Sequence, residues 1–232
     1  MAFANLPHEI AAFLDAVNRR DFRAILATFA DGAVLVDECV EHHGQAIGEW
    51  IEYNVLQRNA TLHPINAARR TGTTIITVMA RPWDKARDGR AAAQLDCRFM
   101  VSAGKIDALT IEMSKLPNLP APVDSYVFAA NTFDLEALSD AFADDAVVND
   151  QLQEHRGNKA IRKWAASDII ADRVTMYVVG TVQHYGHAIV TANVDGDYDK
   201  RGLPDPLVLT FYFSIYGEKI VQLIILRNEP DV

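Results

Sequence analysis

Apolar residues recur at helical spacing near the start of the chain. Ile10, Phe13, Leu14 and Val17 fall on one face, behind Pro7, which suits a first helical turn. The polar run 18–21 breaks the pattern, and Asp21 is placed to cap a second short helix over 22–29. Asp31-Gly32 reads as a turn, and 33–37 as a short strand that is apolar on both faces and therefore buried. Beyond Gly44, Ile47, Trp50, Ile51 and Val55 mark a third helix that stops near 58–59. The period then changes. Residues 73–81 are dense in Thr, Ile and Val, 84–89 form a charged hairpin loop, and 91–101 pairs with 105–113 across Ser102-Ala103-Gly104.

The same succession then repeats. Helices are predicted over 123–130, 135–142 and 160–171, with a buried strand over 146–150. Four strands follow, over 174–183, 188–198, 207–216 and 219–226. Phe29-Ala30-Asp31-Gly32-Ala33-Val34-Leu35-Val36-Asp37 returns 113 residues later as Phe142-Ala143-Asp144-Asp145-Ala146-Val147-Val148-Asn149-Asp150. Between 6–44 and 119–157, 15 of 39 positions are identical, among them Asn18/Asn131, Asp21/Asp134, Asp37/Asp150 and His42/His155. A one-residue insertion later aligns Trp50 with Trp164 and Lys105-Ile106 with Lys219-Ile220. A unit this long is a whole domain, not a solenoid repeat. The predicted organisation is a first copy over 1–113, a proline-bearing linker over 114–122, and a second copy over 123–232. Helices followed by a long antiparallel sheet make each copy α+β, with a sheet that curls round the helices to leave a pocket.

Composition narrows the function. Half of the 232 residues are apolar, 23% are charged, and the formal charge is −9. No Lys/Arg run is long enough to track phosphates, so nucleic acid is not an expected partner. No apolar stretch is long enough for a membrane span, and 1–9 does not read as a secretory signal. Cys39 and Cys97 both fall in the first copy without counterparts in the second. This argues against a disulfide framework and for a cytoplasmic setting.

The three-helix opening, the Phe-Ala-Asp-Asp-Ala-Val-x-x-Asp segment, the His-x-Gly turn and the following Ile-x-x-Trp helix resemble the nuclear-transport-factor-two-like superfamily. This is also called the SnoaL-like or cystatin-like cone fold. The resemblance covers both halves and implies two tandem cone-shaped domains, each with three N-terminal helices on a curved, mainly antiparallel sheet. It also implies an intramolecular pseudo-dimer of the two, open to further self-association. The second half is similar in part to the ketosteroid isomerase branch, which uses a helix-1 tyrosine as oxyanion donor, a first-strand carboxylate as base and a late-strand acid. Tyr126 and Asp150 match the first two positions, and Thr210 stands at the third. In the first half the same positions hold Phe13, Asp37 and Asp96.

The residues support that chemistry independently. Asp150 shares a strand face with Ala146 and Val148, and apolar surroundings raise a carboxyl pKa towards a value suited to proton transfer. Tyr126 is a candidate donor for an oxygen on which charge develops, or else a core aromatic, as Asp150 is a candidate base or an acceptor of backbone amides at a turn. Asp96 is a candidate to replace the donor that Phe13 lacks beside Asp37, and Cys39 shares the strand parity of Asp37. His155 and His42 precede the third helix as candidate ligand anchors or general acids, or as groups that satisfy the loop. Arg156, Thr210 and Trp164 complete the candidate ligand-binding set. His184 and His187, near Asp195, Asp197 and Asp199, invite a metal reading. The acidic spacing lacks the glycine and distant Glu of a calcium loop, and two histidines three apart are taken to point to different faces, so no metal is expected. The expectation is a cofactor-free isomerase, cyclase or dehydratase acting on a small, mostly apolar carbonyl compound. The alternative is a non-catalytic binding or assembly protein of the same fold.

Overall fold

The computed structural model describes residues 6–82, 92–115 and 118–227, and the hairpin loop expected over 84–89 lies outside them. The chain divides into two compact units, Ala2–Lys115 and Leu116–Val232. Each is α+β with its own six-stranded sheet.

In the first unit, α1 (His8–Arg19) presents Ile10, Phe13, Leu14 and Val17 to the core. Asp21 caps α2 (Phe22–Ala27) by accepting from the Ala24 amide at 3.0 Å. Lys105 reaches the Ala27 carbonyl at the other end. β1 (Phe29–Asp37) and β2 (Val40–His43) form a hairpin ahead of α3 (Gln45–Ile51), whose last turn widens into a π-helical segment, Glu52–Gln57. β3 (Thr61–Arg70), β4 (Thr73–Arg81), β5 (Ala93–Ser102) and β6 (Lys105–Met113) follow. The sheet order is β2-β1-β6-β5-β4-β3, with β1 parallel to β6 and the other pairs antiparallel.

The second unit repeats this plan. α4 (Ala121–Thr132), α5 (Leu135–Asp140), β7 (Phe142–Asp150), β8 (Gln153–Arg156) and α6 (Asn158–Trp164) precede a second π-helical segment, Ala165–Ile170. Then come β9 (Thr175–His184), β10 (His187–Asp195), β11 (Leu207–Tyr216) and β12 (Lys219–Arg227). The order β8-β7-β12-β11-β10-β9 is that of the first sheet. Asp134 caps α5 through the Ala137 amide at 3.0 Å, and Lys219 reaches the Asp140 carbonyl. Each unit packs its helices against its sheet around a separate apolar cluster.

Four local expectations change. The turn expected at Asp31-Gly32 is part of β1, whose pairing with β6 shifts register between Phe29 and Val34. The strands β2 and β8 were not foreseen, because their two-residue turns use left-handed Glu38-Cys39 (φ 48° and 70°) and Gln151-Leu152 (φ 48° and 71°) instead of the usual Asn or Gly. β3 was hidden by Pro64. As an edge strand with a register shift after Pro64, β3 tolerates the missing amide. Ala121 and Pro122, read as connecting chain, open α4.

A candidate active site in the second cone

β7 alternates strictly after Asp145: Ala146 and Val148 are buried, and Asp150 follows on the same face, half-buried at the strand end. α6 begins after Gly157, whose φ of 78° turns the chain back over the sheet. That turn brings the Trp164 indole to Asp150, where Nε1 donates to Oδ2 at 3.1 Å. Burial pushes the Asp150 carboxyl above its ordinary value. The indole bond, the nearby His155 and a bond from Gln151 oppose this, and the charge of Asp168 adds to it. The first cone has the same bond, with Trp50 Nε1 donating to Asp37 at 3.0 Å, and Asp37 is buried.

Tyr126 comes from α4 and is wholly buried, edge-on to Phe142 (centroids 5.8 Å) and Phe213 (5.4 Å). Its hydroxyl is buried without a hydrogen-bond partner among the described residues. Burial, and then the charge of Asp150, drive the phenol pKa far up, so it is a neutral donor. His155 stands opposite Val148 in the β7–β8 register, hence on the face of Asp150. Its ring stacks on Trp164 at 5.9 Å and 29°, and its Nε2 is a second buried atom without a partner among the described residues. Asp150, His155 and Trp164 are thus joined by direct contacts, and the charge of Asp150 reaches Tyr126.

The other candidates lie elsewhere. Arg156 alternates to the opposite face of β8 and pairs with Glu154 at 3.3 Å on the exposed surface. Thr210 sits between Leu209 and Phe211, which with Phe213 are the core-facing residues of β11, so Thr210 faces away from the cone. In the first cone Asp96 is likewise on the outer face, accepting from Thr77 Oγ1 at 2.8 Å and Ser114 Oγ at 2.7 Å. It therefore does not supply Asp37 with the donor that Phe13 lacks. Its neighbour Cys97 takes the inward position, and burial pushes that thiol up to about 12. Cys39 is exposed in the hairpin turn and does not share the pocket of Asp37. His42 stands opposite Leu35 on the inward face. The first cone keeps an apolar cavity of about 10 Å³ beside Phe13, Trp50, Asn54 and Cys97, room for about one water. In the second cone, Phe211 fills the place of Cys97 and stacks with Phe213 at 6.3 Å.

Sequence reasoning missed the indole donors and Asp168. The first had a signal, since both copies keep a tryptophan 13 or 14 residues after the strand-end aspartate. Asp168 had none, because its place beside Asp150 depends on the π-helical turn that follows Trp164. Among the described residues no group of three or more His, Cys, Asp or Glu is placed to hold a metal ion. No described helix is long and apolar enough to cross a membrane.

Residues 123–223 match the SnoaL-like domain family. No curated protein matches the chain. Among solved structures, a protein from Sinorhizobium meliloti described as a candidate polyketide cyclase is 33% identical over 47% of this chain and 95% of its own, with a TM-score of 0.43. A Catenulispora acidiphila protein with a ketosteroid isomerase-like fold, solved with trimethylamine, is 21% identical over 47% of this chain and 86% of its own, TM-score 0.41. An uncharacterised cystatin-fold protein from Novosphingobium aromaticivorans is 17% identical over 46% of this chain and 95% of its own, TM-score 0.38. The second half thus belongs to the SnoaL-like domain family, and the first half repeats it in sequence and in strand order.

Proposed function

We propose that the second cone catalyses a cofactor-free acid–base reaction on a small, mostly apolar carbonyl compound, of the isomerase, cyclase or dehydratase type. The observation that carries this reading is the Tyr126 hydroxyl, buried beside apolar rings without a partner among the described residues. An unsatisfied buried hydroxyl costs about 1–3 kcal/mol. A substrate carbonyl that accepts from Tyr126 removes that cost, and the bond strengthens as the oxygen gains negative charge. Asp150, held by the Trp164 indole and raised by burial, takes the proton from the carbon next to that carbonyl. His155, on the same face, exchanges a proton with, or anchors, a second polar group of the substrate. Two free cysteines suit the cytoplasmic setting proposed with it.

A second reading is a binding protein without turnover. It is favoured by the incomplete set, since Thr210, at the place of the isomerase branch's late-strand acid, faces away from the cone. Hydrogen–deuterium exchange at the α-carbon of a panel of cyclic ketones, followed by proton NMR in D2O, separates the two readings. The wild-type protein is expected to accelerate exchange on at least one ketone, and Asp150→Asn to lose that acceleration by 100-fold or more while remaining folded. Equal exchange with both proteins would sink the catalytic reading and leave the binding one.

A further inference from the structure

Away from the second cone's interior, the β9–β10 hairpin carries a different constellation. β9 ends at His184 and β10 begins at His187, joined by Tyr185 (φ 45°) and Gly186 (φ 76°). The register makes His184 and His187 direct partners. Directly opposed residues of an antiparallel pair share a face. The expectation that these histidines point apart is therefore overturned by the two-residue turn between them.

The next residue in the same row is Ser214 of β11, opposite His187. Its Oγ lies 3.1 Å from His187 Nδ1 and is linked in turn to Gln222 Oε1 at 3.5 Å. A side chain that engages one imidazole nitrogen fixes the ring and directs the other nitrogen outward, as groups behind metal-binding histidines do. The His184 ring is set by the edge of Tyr185, with centroids 4.3 Å apart at 80°. Both imidazoles line an open cleft of about 450 Å³. Pro120 contributes to this cleft, and the bond from Gln183 Nε2 to the Asn118 carbonyl at 3.0 Å ties the chain before α4 to the hairpin.

We propose that His184 and His187 chelate a borderline divalent transition ion of the zinc, nickel or copper class. Neutral imidazole suits these ions, whereas magnesium and calcium require oxygen ligands. With two protein ligands the remaining coordination positions belong to water or to an external ligand in the cleft. The site is then open and exchangeable, unlike a closed structural site with four protein ligands. This inference does not depend on the catalytic reading of the second cone.

The test is a titration of untagged protein with zinc chloride, followed by the imidazole signals in long-range proton–nitrogen NMR and by calorimetry. The ring signals of His184 and His187 are expected to move together, ahead of those of the other five histidines. His184→Ala and His187→Ala should each weaken binding at least tenfold. Ser214→Ala should weaken it by about tenfold or more through the lost orientation of His187. Far-UV circular dichroism checks that the hairpin variants remain folded. Absence of a zinc-dependent change at these two rings, or unchanged affinity in the histidine variants, would overturn the proposal.

Discussion

The Tyr126 hydroxyl sets a sign that a structural role would reverse. Tyr126→Phe keeps the ring against Phe142 and Phe213 and removes only a buried oxygen that has no partner among the described residues. The variant is expected to be as stable as wild type or more stable by on the order of 1 kcal/mol, while losing activity. Loss of more than about 1 kcal/mol in urea unfolding would show that the hydroxyl has a partner in the folded protein. Asp150 gives a pH prediction. Its carboxyl is raised by burial in the folded state, so the folded form holds that proton more tightly than the unfolded chain does. The stability it contributes is full below the unfolded carboxylate value and is lost as pH rises through the folded one. Activity runs the other way, because the base form is needed, so the rate rises with pH on a limb above the usual carboxylate range. Asp168→Asn removes a like charge and should move this limb to lower pH. Trp164→Phe removes a donor to the carboxylate and should move it to higher pH. A limb that stays in place in both variants would assign the titration to another group.

Elements are held to each other by a few buried polar clamps, and the duplication made one of them visible beforehand. Asn131 at the end of α4 donates to the Met176 carbonyl at 2.9 Å and accepts from its amide at 2.7 Å, fixing the start of β9. Asn18 does the same for Leu62 of β3, at 3.0 and 2.8 Å. Asn131→Ala leaves both backbone groups of Met176 without those partners in a buried setting, and is expected to cost about 2–3 kcal/mol in urea unfolding. Asn18→Ala should cost less, because its bonds are only part-buried. That Asn18 and Asn131 recur could be read from the sequence; what they bind could not, since the pairing spans 44 and 45 residues. The same divide runs through the site. The face of Asp150 followed from alternation along its own strand. Whether Asp96 or Cys97 points inward depended on a one-residue choice of parity that apolar residues on both sides left open. Strand alternation does not carry through the turn between His184 and His187, so their shared face is not legible from spacing.

At the scale of the whole chain, the legible feature was repetition, and it reached further than any single motif. Both copies of the pattern take up one strand order, and β3, unreadable alone because of its proline, has its counterpart in the strand legible over 174–183. The repetition also shows how the halves diverge. Phe13 stands for Tyr126, Asn54 for Asp168 and Cys97 for Phe211, so the first cone has a small apolar cavity and the second has the phenol and the additional acid. Such divergence requires that each half fold on its own core. Among the described residues the two apolar clusters share no residue, and neither sheet takes a strand from the other unit. Each unit also has the size of an ordinary independent domain. Residues 1–115 and 116–232, produced separately, are each expected to give a single cooperative urea transition with a slope of about 1–3 kcal/mol per molar. The second piece alone should retain ketone exchange at the wild-type rate. A second piece that folds cooperatively but has lost the activity would mean that the catalytic set is completed from the first half. A second piece that does not fold would instead show that its core depends on the first.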